Sequence, residues 1–225
     1  MRWIEPDGTS VAPNQFIPLA ERLGLIHAIG EWALYEACRQ SREWRRQLGK
    51  AMPVAVNVSA LQFRRPGLCS AIERALMETG LPPEDLVIEV AESVVMEDLV
   101  LTQQTLSALV KLGVRLAVDD FGNGQSSLAH LKRVPVHHLK IDRHCVHDLG
   151  RSTDGEAMVR TIIQLGHSLH LSVAAKGVET SAQAALLRAH GCDFAQGYLY
   201  SVPLPKARFM ALLGATEEAV SEAAG

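Results

Sequence analysis

The chain has 225 residues, 48% of them hydrophobic, with a formal net charge of −3. That length suits one domain able to bury about 70% of its unfolded surface without staples, and a near-balanced charge with no dominating Lys/Arg run excludes a DNA duplex or an anionic membrane as partner. Four cysteines without CxxC pairing exclude a zinc ribbon or a secreted disulfide framework, and with no signal core or 18-residue apolar run a reduced, cytoplasmic protein is expected that spans no membrane by itself.

An amphipathic stretch from Phe16 to Leu48 comes first. Within it Arg39, Arg42, Arg45 and Arg46, with Lys50 just beyond, read as a solvated helix face, and Trp32 and Trp44 as packing residues. PVAVNVS at 53–59 predicts a strand, and a helix over Leu68 to Thr79 stops at Gly80. LVIEV at 86–90 and VRLAVDD at 114–120 predict strands around a helix from Asp98 to Leu112 that ends at Gly113. A helix from Ser126 to Arg133 precedes a strand, HHLKID, at 137–142. A helix from Gly155 to Leu169, a strand LSVAAKG at 171–177, a helix from Ser181 to Ala189 before Gly191 and a strand CDFAQGYLY at 192–200 complete the series.

Glycines just past helical patterns mark helix ends. Several strand runs are continuously apolar, which predicts burial on both faces of a parallel sheet. The repeated βα order predicts an α/β fold, and pattern alone fits a barrel or a doubly wound sheet equally. Residues 1–214 read as one domain and 215–225 as a C-terminal tail.

Polar residues recur at the C-terminal ends of the predicted strands: Asn57, Glu89, Asp119, Asp120, Lys140, Lys176 and Gln196. Barrel active sites are assembled at that face from different strands. Asn57, Glu89, Asp119 and Asp120 supply hard oxygen donors suited to Mg²⁺ or Mn²⁺, and an adjacent acid pair can bridge two metals for phosphodiester cleavage. Lys140 is then placed for a water or a phosphate oxygen. The histidines at 137, 138, 144 and 147 read as surface or packing residues, because strand neighbours point to opposite faces.

The segments FIPLAERLGLI at 16–26, VAVNVSA at 54–60, EVAES at 89–93, DDFGNGQSSLAHLKRVPV at 119–136, LKIDR at 139–143, KGVET at 176–180 and QGYLYSVPL at 196–204 resemble the EAL family in order and spacing. That family hydrolyses cyclic di-GMP to a linear dinucleotide with two divalent cations, and the resemblance implies a (β/α)8 TIM-barrel-like fold. It implies metal ligands at Asn57, Glu89, Asp119 and Asp120, and a catalytic lysine at Lys140. Ligand contacts fall at Arg2, Glu179 and Gln196, and Glu92 supports the loop after the aspartates. Partners implied are cyclic di-GMP, a second copy of the chain through the face bearing the Asp119 loop, and a regulatory protein.

Two departures stand out. The naming Glu-Ala-Leu would lie immediately before Met1, so its metal-ligating Glu is absent; the chain then reads as truncated, missing the first strand and most of the second. In KGVET, Lys176 stands where the family has a catalytic acid. Asn123 and Gln125 also replace the usual Thr and Tyr. The expectation is a catalytically impaired domain that binds cyclic di-GMP or a protein partner; the alternative is an active Mg/Mn-dependent phosphodiesterase producing linear pGpG.

Overall fold

The computed structural model describes residues 1–97, 100–123 and 131–213. An antiparallel hairpin, β1 (Trp3–Ile4) and β2 (Ser10–Val11), leads into helices α1 (Pro13–Arg22) and α2 (Ile26–Leu48). Then come β3 (Val54–Val58), α3 (Ala60–Arg64), α4 (Leu68–Thr79), β4 (Leu86–Ala91), α5 (Glu92–Val95), α6 (Val100–Lys111) and β5 (Arg115–Phe121). They are followed by β6 (His138–Ile141), α7 (Arg143–His147), α8 (Thr153–Ser168), β7 (Ser172–Lys176), α9 (Ser181–Ala189) and β8 (Phe194–Gln196).

The strands from β3 to β8 form one sheet in sequential order, each parallel to the next. A doubly wound sheet reverses its strand order at a switch point. Sequential order gives the (β/α) barrel-like arrangement instead. Among the described residues β3 and β8 share no ladder, so both edges are open and Phe194 on β8 is 60% exposed.

Burial alternates along β6 and β7, which corrects the expectation of two buried faces there, while β4 over 88–90 and β5 over 116–119 are buried on both faces as expected. Leu86, Ile88, Leu116, Val118, Leu139 and Ile141 are sealed from solvent, and each fully buried aliphatic side chain contributes about 1.5–3 kcal/mol. On the opposite face Arg115 is exposed and His138, Lys140 and Ser172 are half-buried, whereas Glu89, Ala117 and Asp119 are buried. The apolar face lies under the helices, and the inner face carries small and polar side chains.

The long helical pattern over residues 16–48 is two helices. Gly24 has φ +71°, the Leu25 amide donates to the Ala20 carbonyl at 2.8 Å, and glycine takes that left-handed conformation without a Cβ penalty. Trp44 packs on Phe209 with ring centroids 4.8 Å apart. Trp32, expected to pack, is 58% exposed. Arg45 leaves the solvated face to pair with the buried Asp85. Asp98, the helix expected from Ser126 as far as residue 130, and the tail at 215–225 lie outside the described residues. No helix among the described residues is long and apolar enough to cross a membrane.

Asp193 ties β7 to the segment entering β8. Its Oδ2 accepts a hydrogen bond from the Val173 amide at 2.7 Å and faces His167 Nε2 at 3.0 Å. Burial alone would raise its pKa, but the Val173 amide and His167 outweigh that and hold it below the ordinary 3.8. A carboxylate held low in the folded state adds stability that is present above its unfolded pKa and lost as pH falls through the folded value. In urea titrations the wild type should therefore be more stable than Asp193→Asn at about pH 7, with the gap narrowing below about pH 4. A gap unchanged at low pH contradicts this role.

Candidate functional site

Residues opposite one another in a parallel ladder share a face. Asn57 pairs with Glu89, Glu89 with Ala117, Ala117 with His138, and Lys176 with Gln196; Lys140 pairs with Ala174, two residues before Lys176. Counting by twos along each strand, the side chains of Asn57, Glu89, Asp119, Lys140, Lys176 and Gln196 all point inward. All six lie within two residues of their strand's C-terminal end, and Glu89 is at the same height as Asn57.

Asp120 should then point outward, because strand neighbours alternate. Between β5 and β6 the register shifts: Val118 pairs with Leu139, but Phe121 pairs with Ile141. One extra residue on β5 is a bulge, which re-aims a side chain. Asp120 takes φ +57°, a left-handed conformation uncommon outside glycine and most tolerated by Asn and Asp. The bulge lets both aspartates address one point while Phe121 returns to the apolar side.

That point is held by Lys176. Its Nζ is 2.6 Å from Oδ1 of Asp119 and 2.6 Å from Oδ1 of Asp120. The two contacts differ in kind. Asp120 Oδ1 accepts a hydrogen bond, whereas Asp119 Oδ1 is buried without a hydrogen-bond partner, so the approach to Asp119 is a charge contact in poor hydrogen-bond direction. Burial works against the ammonium, but the two aspartates outweigh it and hold its pKa above the usual lysine value. The second lysine, Lys140, places Nζ 2.5 Å from Oε1 of Glu89, itself 5% exposed.

Around the cluster, Glu92 is buried and accepts a hydrogen bond from the Gly122 amide at 3.2 Å. Asn57 and Gln196 are exposed on the two edge strands. Arg2 lines an apolar cleft of about 400 Å³ with Trp3, Phe16 and Trp32. Glu179 lines another of about 290 Å³ with Arg143, His144 and His147. Gln125 lies outside the described residues.

Asp142 is a site residue that sequence reasoning passed over. It is 4% exposed, accepts the His144 amide at 2.7 Å, and meets the His144 ring at the same distance. Burial would raise its pKa, but His144, Asp120 and Asn123 hold it low. The signal was present in LKID, where Lys140 and Asp142 are two apart and so share a face.

Asn57, Glu89 and Asp119 are hard oxygen donors on neighbouring strands, and Asp119 Oδ1 accepts no hydrogen bond, its one close partner being the Lys176 ammonium. By donor type they are the residues that would hold one divalent cation. A second cation bridging Asp119 and Asp120 does not fit, because the Lys176 ammonium fills that position. Among the described residues no group of three His, Cys, Asp or Glu side chains is arranged around a common point to hold a metal.

Comparison with known proteins gives a consistent picture. The family model described as EAL domain matches residues 1–203. The chain is 44% identical over 211 residues to the bifunctional diguanylate cyclase/cyclic di-GMP phosphodiesterase MucR of Pseudomonas aeruginosa, covering 94% of this chain and 31% of that protein. It is 40% identical to the cyclic di-GMP phosphodiesterase NbdA of the same organism, covering 92% and 26%. It thus spans about a third or less of these curated relatives. The structure of the MucR phosphodiesterase in complex with c-di-GMP superposes with a TM-score of 0.89 at 44% identity, covering 92% of this chain and 84% of that one. The EAL domain of FimX from Pseudomonas aeruginosa bound to c-di-GMP gives 0.82 at 26% identity, covering 90% and 81%.

The bulge makes a stability prediction. Glycine at 120 relieves the left-handed backbone while giving up an exposed ion pair worth at most about 1 kcal/mol. A β-branched residue at that φ adds strain of about 1–3 kcal/mol. Asp120→Gly should therefore melt close to the wild type and Asp120→Val well below it. Equal melting of the two variants would show that φ at 120 is unstrained.

Proposed function

This chain belongs to the EAL domain family, and on that footing we propose that it binds cyclic di-GMP as a signalling receptor and is impaired in hydrolysing it. The carrying observation is the chemistry of the inner rim. Oxygen donors from β3, β4 and β5 and the Lys140 ammonium face one another there, while β7 contributes an ammonium instead of a carboxylate.

Phosphodiester hydrolysis needs a water stripped of a proton as it attacks phosphorus. An ammonium of ordinary pKa near 10.4 has no lone pair to accept that proton at neutral pH. Loss of a positioned base lowers a rate by about 10² to 10⁴. Binding makes no such demand: a phosphate diester is anionic, and Lys140 and Lys176 are positive charges that can share it. Relatives named as cyclic di-GMP phosphodiesterases, and EAL structures solved with c-di-GMP, support the ligand.

Incubation with cyclic di-GMP and Mg²⁺ or Mn²⁺, with the linear dinucleotide followed by chromatography, tests the reading. Wild type should be silent or nearly so, and Lys176→Glu should gain about 10²-fold or more. Brisk wild-type turnover unchanged by the substitution would mean an active phosphodiesterase. Absence of cyclic di-GMP binding by calorimetry, with or without metal, would remove the receptor role.

A further inference from the structure

We propose that Lys176 is a built-in cation standing in for one divalent ion, so that the domain takes up a single metal where the oxygen geometry would otherwise hold two. The inference rests on the family reading above and concerns ion stoichiometry, which does not depend on ligand affinity or turnover.

The bulge at Asp120 turns two adjacent carboxylates toward one point, an arrangement with a clear use as a bridge around a small cation. Lys176 Nζ is equidistant from both Oδ1 atoms at 2.6 Å. A divalent ion bridging the same oxygens would sit about 2.0–2.2 Å from each, in the space the nitrogen occupies. It would also meet a unit positive charge within contact distance, and like charges so close repel strongly in a partly buried site.

Charge balance points the same way. Glu89, Asp119 and Asp120 face Lys140 and Lys176, leaving one net negative charge, enough to attract one ion. A carboxylate at 176 would leave three.

The remaining oxygen set is distinct. Asn57 and Glu89 are register partners, and Asp119 Oδ1 is the buried acceptor without a hydrogen bond. One ion can use these groups once Lys176 Nζ gives up its 2.6 Å contact with Asp119 Oδ1 and stays on Asp120, whose contact is the true hydrogen bond. Lys176 is thus a positioning residue for Asp120 and a barrier to the second ion.

Metal-free protein titrated with Mn²⁺, with free Mn²⁺ read by electron paramagnetic resonance and no nucleotide present, tests the inference. Wild type should bind one equivalent. Lys176→Glu should bind two, the second at least about a hundredfold tighter than any second uptake by wild type. Lys176→Met, which removes the charge without adding an oxygen ligand, should take up a second ion more weakly than Lys176→Glu, and circular dichroism establishes that each variant is folded. Two equivalents in wild type, none in wild type, or one in both wild type and folded Lys176→Glu would overturn it. Stoichiometries of one and two alongside absent cyclic di-GMP binding would sink the receptor reading and leave this inference standing.

Discussion

Two carboxylates on adjacent residues of one strand normally face opposite sides of the sheet, and the site depends on breaking that rule. The bulge at Asp120 brings its carboxylate round to join that of Asp119. Concentrated negative charge at a half-buried rim requires a positive charge at the focus, and here the sequence itself supplies it through Lys176. The arrangement gives the rim a fixed, monovalent counter-charge on a tether, where an exchangeable divalent ion would be removable.

The scaffold explains why the rim can hold such a cluster. The sheet's stability comes from the opposite face, where aliphatic side chains of β4, β5, β6 and β7 are sealed under helices. The inward face is therefore free to carry lysines, carboxylates and a histidine without loss of core. Supporting contacts come from just behind the rim. Glu92 at the start of α5 holds the Gly122 amide, and Asp142 at the N-terminus of α7 accepts the His144 amide and meets its ring.

Much of this was legible in the sequence. Four of the six sheet strands lie inside the predicted runs and β4 and β5 overrun theirs by one residue, because parallel strands covered by helices need the Val, Ile and Leu that mark them, and α4 and α9 match their predicted bounds. Polar residues at strand ends located the rim. What could not be read is equally physical. The apolar period runs through Leu19, Leu23 and Leu25, so it hides the break at Gly24. Trp32 looks like a packing residue by type and is exposed by position. The pair Asp119–Asp120 reads as ordinary alternation, because a bulge is a property of the register between two strands and leaves no mark on one. Asp142 was hidden by attention to Lys140 in the same motif. The charge reversal at 176 was visible, but its contact with both aspartates required the bulge to be known.

The most direct measurement is anomalous scattering at the manganese edge from crystals of the wild-type protein grown with Mn²⁺ and cyclic di-GMP. The account predicts one manganese peak, among Asn57, Glu89 and Asp119, with Lys176 Nζ retained on Asp120 and the cyclic dinucleotide intact. Two peaks with Lys176 displaced from the aspartates, or hydrolysed dinucleotide in the site, would contradict it.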